Sequence, residues 1–411
     1  MKKIAWILVI LLISISIISG CSKKEEKESI NILDLKWEDI VSQSKGQEVN
    51  IYMWGGDKSV NSYIDDWAKP LIKKKFNISL NRVPINDPKD MINKLLTEKE
   101  VDKKQGSIDI LWINGENFKT SKDNNLLWAS FADKLPNYNK YVDKDSLDIK
   151  YDFGEDTMGM EVPWGKSQFV FIYDSEKVKN PPKDMKEFKE WIKENPGKFT
   201  YPSPPDFTGS AFIRQTFVHL IGEYKGYDTV DMNKFKSDSN ITWDYMKEIK
   251  PYLWRKGKTY PESSSKLDML YANGEVLMSM SYNPLHAFNK IKNGEFKEST
   301  NVFFLNDGTL SNTHYLTIPF NASNKEGAMV VINFLLSPNA QITKFNPSYW
   351  GDGLVISYDK LSNSDKEKLS SIYGLKETKF LEKLQKHKIP EMKSKYVEEI
   401  EKDWMENVAK D

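Results

Sequence analysis

The chain has 411 residues, more than one ordinary core accommodates and enough for two. It is 39% hydrophobic and 29% charged with a formal net charge of zero. That composition is globular and carries no overall electrostatic footprint for nucleic acid. A single cysteine excludes a disulfide framework.

The N-terminus reads as an export signal. Lys2-Lys3 precede the apolar run Ile4 to Ile18, and Ile18-Ser19-Gly20-Cys21 follows. Residues 1–20 are too short and wrongly flanked for a spanning helix and fit a signal peptide. The segment resembles a bacterial lipobox, in which Cys21 is acylated and becomes the first residue; two acyl chains suffice for stable anchoring. A plainly cleaved signal with an incidental cysteine is the alternative. Residues 21–45 are expected to form a tether, its charged part Ser22 to Ser29, and the start of a first helix.

From Glu48 onward strands and helices alternate. Val49 to Tyr52 predicts a strand, Ser59 to Lys75 a helix, and Ile78 to Val83 a strand. Asp87 is placed to cap a helix that begins with Pro88. Ser107 to Ile113, "SIDILWI", has the length of a buried strand. Helices are expected near Lys183–Asn195, Ser210–Tyr224, Thr242–Lys256 and Ser263–Asn273. "VLMSMSYNPLHAF" reads as a strand running into Asn283 as N-cap and Pro284 as first helical residue. Ala328, Val331, Ile332, Leu335 and Leu336 fall at helical spacing, and Ser337-Pro338 starts another helix. The alternation predicts parallel sheets flanked by helices. Two crossings between lobes are expected, near Glu161–Gly165 and near Asn306–Gly308.

Several strand ends are candidate sites, because ligands in open α/β sheets bind beyond the carboxyl ends of strands. Trp54-Gly55-Gly56 ends the first strand. Its spacing fits neither a dinucleotide fingerprint nor a P-loop, leaving a ligand wall or a turn with a packed Trp. Asn114, Glu116 and Asn117 follow "SIDILWI" around Gly115, where a plain Asn-Gly turn is the competing reading. Asp206, Phe207, Thr208, Gly209 and Ser210 lead into a helix whose free N–H groups suit an anion or simply a cap. Tyr282 is either a second stacking wall or a rim residue. The four histidines lack metal-ligand spacing, so neither a metal nor a cofactor is expected. A hydrolase pair of Glu116 and Glu161 has no support in spacing.

Taken together, "YMWGGD", "IDILWINGENF", "VPWGKSQFVFIYD", "NPGKFTYPSPPDFTGSAF", "YLWRKGKTYP" and "SPNAQ" resemble the YnjB-like family of ABC-transporter extracellular solute-binding lipoproteins. The resemblance runs from Glu48 to Gly353 and is weaker over residues 355–411. It implies an α/β, two-lobed periplasmic-binding-protein fold of type II. Each lobe is then a mixed or parallel sheet flanked by helices, with the ligand cleft between lobes. Lobe I would hold residues 46–163 and 312–343, and lobe II residues 164–311 and 344–411. The implied function is capture of a small solute by hinge closure and delivery to separate permease and ATPase subunits, without catalysis. The implied place is the outer face of the bacterial cytoplasmic membrane, where the protein is lipid-anchored and monomeric.

On that reading Trp54, Gly55, Gly56, Asn114, Glu116 and Asn117 line the first lobe's face of the cleft. Trp164 and Gln168 lie at the first crossing. Asp206, Phe207, Thr208, Gly209, Ser210 and Tyr282 face them, and Asn312 and His314 follow the second crossing. Aromatics with carboxylates favour an organic cation such as a thiamine-like compound or a polyamine. Trp54, Trp164 and Tyr282 would enclose it, and Glu116 or Asp206 would neutralise it. The alternatives are a sugar or anionic, phosphorylated solute held near Gly209–Ser210 and Lys166, or an exported carbohydrate-active hydrolase.

Overall fold

The computed structural model describes residues 31–86, 88–222, 229–372 and 374–410. The signal segment, Cys21, the tether at 22–29, the cap at Asp87 and the expected helix end at Tyr224 lie outside those residues. A short N-terminal unit ends at Lys36; its described part is one helical turn, Ile32–Asp34, capped by the Asn31 side chain. Everything from Trp37 forms a second unit, beginning with the helix Trp37–Gln43.

Two sheets organise that unit. The larger contains β1 (Glu48–Trp54), β2 (Ser79–Ile85), β3 (Ile110–Ile113), β6 (Glu161–Gln168), β10 (Thr309–Thr317) and β11 (Lys388–Pro390). β1 lies between β2 and β3, parallel to both. β10 runs antiparallel to β3 on one side and to β6 on the other, and β11 pairs parallel with its first residues. A two-stranded ribbon, β4 (Tyr151–Asp152) with β5 (Glu155–Asp156), projects before β6. The smaller sheet is β7 (Val170–Asp174) flanked by β8 (Met278–Ser281) and β9 (Thr300–Phe303), antiparallel throughout. The second sheet is therefore not the parallel one expected. Long helical excursions separate its strands in sequence, yet each returns antiparallel.

The helix expected over Ser59–Lys75 runs from Lys58 to Phe76, with a wider π-type turn at Tyr63–Ala68. Pro70 sits just beyond that turn and has no N–H to donate, so local helical pairing must change. Ser337 caps Pro338–Phe345 as expected. Asn283 does not cap the next helix: its Oδ1 accepts from Leu285 N, and the helix starts at His286.

The chain leaves the larger sheet at Phe169, several residues after the expected Glu161–Gly165. "VPWGKSQ" is itself a strand, paired with β10 from Thr317 to Ser311. It returns between Phe303 and Thr309. At this junction Phe169 N donates to Leu310 O, Leu310 N to Gln215 Oε1, and Gln168 Nε2 to Leu384 O at 2.9 Å. Residues 344–361, expected with the second lobe, lie against the larger sheet instead. Gly353 bridges Lys166, and Ile356 bridges Val142. Each sheet has its own core. Ile85, Leu95, Leu111, Ile113 and Phe118 belong to the larger. Phe171, Phe188, Phe212, Met278 and, from the C-terminal helix Ser394–Trp404, Tyr396 and Trp404 belong to the smaller.

Candidate functional site

β1 buries Val49, Ile51 and Met53 and leaves Trp54 half-buried at its carboxyl end. A Cβ on Gly56 would lie 2.5 Å from the Trp54 ring, so the glycine makes room for the indole itself rather than for a ligand. Pro84 fills the corresponding space at Gly55. Among the described residues no other aromatic ring packs on Trp54.

The turn after β3 sits nearby in the fold. Asn114 is the extended residue before the helix Gly115–Asp123, and Gly115 takes φ +61°, a conformation that favours glycine. The Gly115 N–H donates to Asp152 Oδ2 at 2.6 Å. Asn117 is buried and its carbonyl accepts from Ser121 Oγ, while Glu116 stays half-buried. Phe153, from the tip of the ribbon, covers Gly115 at 3.4 Å from where a Cβ would be and reaches Phe207, 6.4 Å away between ring centres.

Two links thus join the first-half turns to the loop at 206–210. Phe153 is one. The other runs through Ser265, whose Oγ donates to Gly56 O at 3.3 Å, while its neighbour Ser264 donates N–H to Asp206 Oδ2 at 3.0 Å. Asp206 Oδ1 also accepts from Gly209 N at 2.9 Å, capping the helix Phe207–Ile221. Asp206 is therefore committed to two helix starts and is not a spare counter-charge. Burial pushes its carboxyl up, against the pull of those N–H groups.

The remaining expected residues lie deeper. Thr208 and Ser210 are buried, and Ser210 Oγ accepts from Arg214 Nη1 at 2.7 Å. Tyr282 is 6% exposed; its hydroxyl donates to Glu391, and it packs on Phe207 and Phe169, so it is a core ring and not a wall. Trp164 is fully buried in a knot with Trp112 and Trp350, at ring distances of 5.4 and 4.9 Å. His314 stacks on Trp350 and stands 3.0 Å from Asp352, which also pairs with the buried Lys344. Trp164 and His314 are thus parts of the larger sheet's interior. Gln168 is buried at the junction, and Asn312 pairs with Ser167 within the strands.

Sequence reasoning missed Asp152, Phe153, Arg214, Ser265 and Glu391. Arg214 is fully buried and holds Glu391 with two bonds, 2.9 and 3.0 Å, between the rings of Phe153 and Phe207. Glu391 lies in the segment with least pattern, so no local signal pointed to it. Burial raises the Asp152 carboxyl well above its usual range despite the Gly115 N–H, and Glu116, Glu391 and Glu155 push the same way. Glu161 is 1% exposed, which removes it from any hydrolytic pair with Glu116. Among the described residues no cluster of three metal-ligating side chains occurs, and no helix is long and apolar enough to cross a membrane.

Two sheets of this connectivity, joined by chain crossings with strand-end loops meeting between them, define the class of type II periplasmic binding proteins. The fold is shared with the spermidine/putrescine ABC transporter substrate-binding protein PotD of Streptococcus pneumoniae, at 14% identity and a TM-score of 0.58 over 88% of this chain and 98% of that one. The model for bacterial extracellular solute-binding proteins matches residues 66–366, and the chain belongs to that family. It is 40% identical over 337 residues to protein YnjB of Escherichia coli, covering 82% of this chain and 86% of that protein. A 136-residue stretch is 32% identical to the thiamine-binding periplasmic protein of Escherichia coli, 32% of this chain and 36% of that one. The chain is an ABC-type solute-binding protein. Its family is extracellular, and proteins of this class hand a small solute to permease and ATPase subunits.

Proposed function

We propose that the solute is an organic cation, held by closure of the two halves at the turn where β1 ends. Trp54 supplies an aromatic face and Glu116 the opposite charge; such a contact contributes about 0.5 to 2 kcal/mol. The observation that carries this choice is at the rival site. An anion would need the helix N-terminus at Gly209–Ser210, and the Asp206 carboxylate already occupies it. Lys166, the other anion candidate, is paired with Asp148 at 2.8 Å. The partial likeness to a thiamine-binding protein agrees with a cationic ligand.

The protein binds without turnover, and Glu161, the second carboxylate a glycosidase would need, is enclosed. Cys21 anchors it through lipid at the outer face of the membrane, as the lipobox pattern implies. Processing and membrane retention should both fail in Cys21→Ser; normal processing with full retention would remove the anchor. Calorimetry with thiamine, a polyamine, a sugar phosphate and a maltodextrin tests the ligand class. Heat is expected with a cation, and heat with the sugar phosphate or maltodextrin alone would replace this reading.

A further inference from the structure

Beyond the turn at Trp54, the two halves touch through a set of polar contacts that the solute reading does not use. Asp57 caps the helix from Lys58: its Oδ1 accepts from Ser59 N at 2.7 Å and Val60 N at 3.2 Å. Its other oxygen, Oδ2, faces Lys290 Nζ at 3.3 Å. Asp57 follows β1 of the larger sheet, whereas Lys290 stands on the helix His286–Lys292, which packs on β9 of the smaller. Both side chains are largely shielded, at 12% and 15% exposure, so solvent screens the pair less than a surface one.

The surroundings favour this geometry. His286, one turn before Lys290, is held 2.6 Å from Asp268, which Ser279 Oγ also engages at 3.0 Å. Glu295 also pairs with Lys290, at 2.7 Å. Burial alone would raise the Asp57 carboxyl, but His286, Lys290 and the Val60 and Ser59 N–H groups together hold the group below its usual range. Other cross-contacts lie alongside: Asn293 Nδ2 to Ser59 Oγ at 3.5 Å, Asn289 Nδ2 to Trp350 O at 2.5 Å, and Ser265 Oγ to Gly56 O. These are exchangeable hydrogen bonds and one ion pair, contacts that water replaces when the halves part.

We propose that Asp57 and Lys290 form a latch across the cleft, positioning the halves in the closed arrangement and setting how long a solute stays bound. This rests on the closure reading above, but not on the nature of the ligand. Asp57 and Lys290 are positioning residues: they act through the closed state and not by touching solute. A latch formed after encounter slows dissociation and leaves association nearly unchanged.

The test uses the mature chain with Cys21→Ser, Val101→Cys and Met269→Cys, two exposed positions on opposite halves, carrying spin labels. Distance distributions are recorded without ligand and with thiamine, at low and high salt. Asp57→Asn keeps the helix cap while removing the charge, and Lys290→Gln removes the other partner. Each is expected to move the distribution to longer distances, the double variant no further than either, and high salt to act in the same direction but more weakly than either substitution. Thiamine dissociation should accelerate on the order of tenfold in each single variant. Distributions indifferent to both substitutions and to salt would overturn the latch. Movement of the ligand-free distribution without any thiamine binding would instead leave the latch standing and remove the cation.

Discussion

Glu161 loses its hydration on folding and, among the described residues, neither carboxylate oxygen gains a hydrogen-bond partner. Burial first, and then Asp152, raise its carboxyl well above the usual range, while Lys122 opposes them weakly. A carboxyl raised in the folded state contributes stability that is full below its unfolded pKa and is lost as pH rises toward the folded one. Glu161→Gln should therefore melt close to the parent near pH 4 and increasingly above it toward pH 8, in thermal unfolding at each pH. A difference that stays constant with pH would contradict this. Two tryptophans that look alike in sequence have different fates. Trp54 ends a paired strand and stays half-buried. Trp164 falls where the ladder slips, since Pro163 pairs with Tyr315 and Gly165 with His314, leaving Trp164 as the extra residue. A bulge re-aims its side chain, and this one turns Trp164 into the knot with Trp112 and Trp350. Alternation along one strand carries no trace of a slip set by the partner strand.

Helices and strands were legible where the cause is local. Ser337-Pro338 start a helix, and Asp184 and Ser263 each cap the helix that follows them. Strand direction in the smaller sheet was not legible, because it depends on where each returning helix delivers the chain. The C-terminal segment showed little pattern because its work is done at long range. Glu391, after β11, closes over Arg214, 177 positions earlier, with Tyr282 and Ser210 completing the set. Removing one member of a buried pair strands the other charge, at about 3–5 kcal/mol. Glu391→Gln should lower unfolding stability by that order in denaturant titration. A loss below about 1 kcal/mol would mean that water reaches Arg214.

At the scale of the whole molecule, the class of protein was legible from long motifs, and the crossings were legible approximately. The cleft was legible only in part, because burial decides which strand-end residues reach it. Trp54, Gly56, Asn114, Glu116, Asp206 and Phe207 belong to turns that meet through Phe153 and Ser265. Trp164, Gln168, Tyr282 and His314 serve packing and the junction between sheets. One aromatic wall, Trp54, is therefore proposed at the solute, not three. Titration calorimetry of thiamine and of a polyamine into the parent and Trp54→Ala tests this most directly. The parent should give saturable heat with a cation, and Trp54→Ala should lose on the order of 1–3 kcal/mol of affinity while melting like the parent. Equal affinity in both proteins, or no heat with either cation, would contradict it.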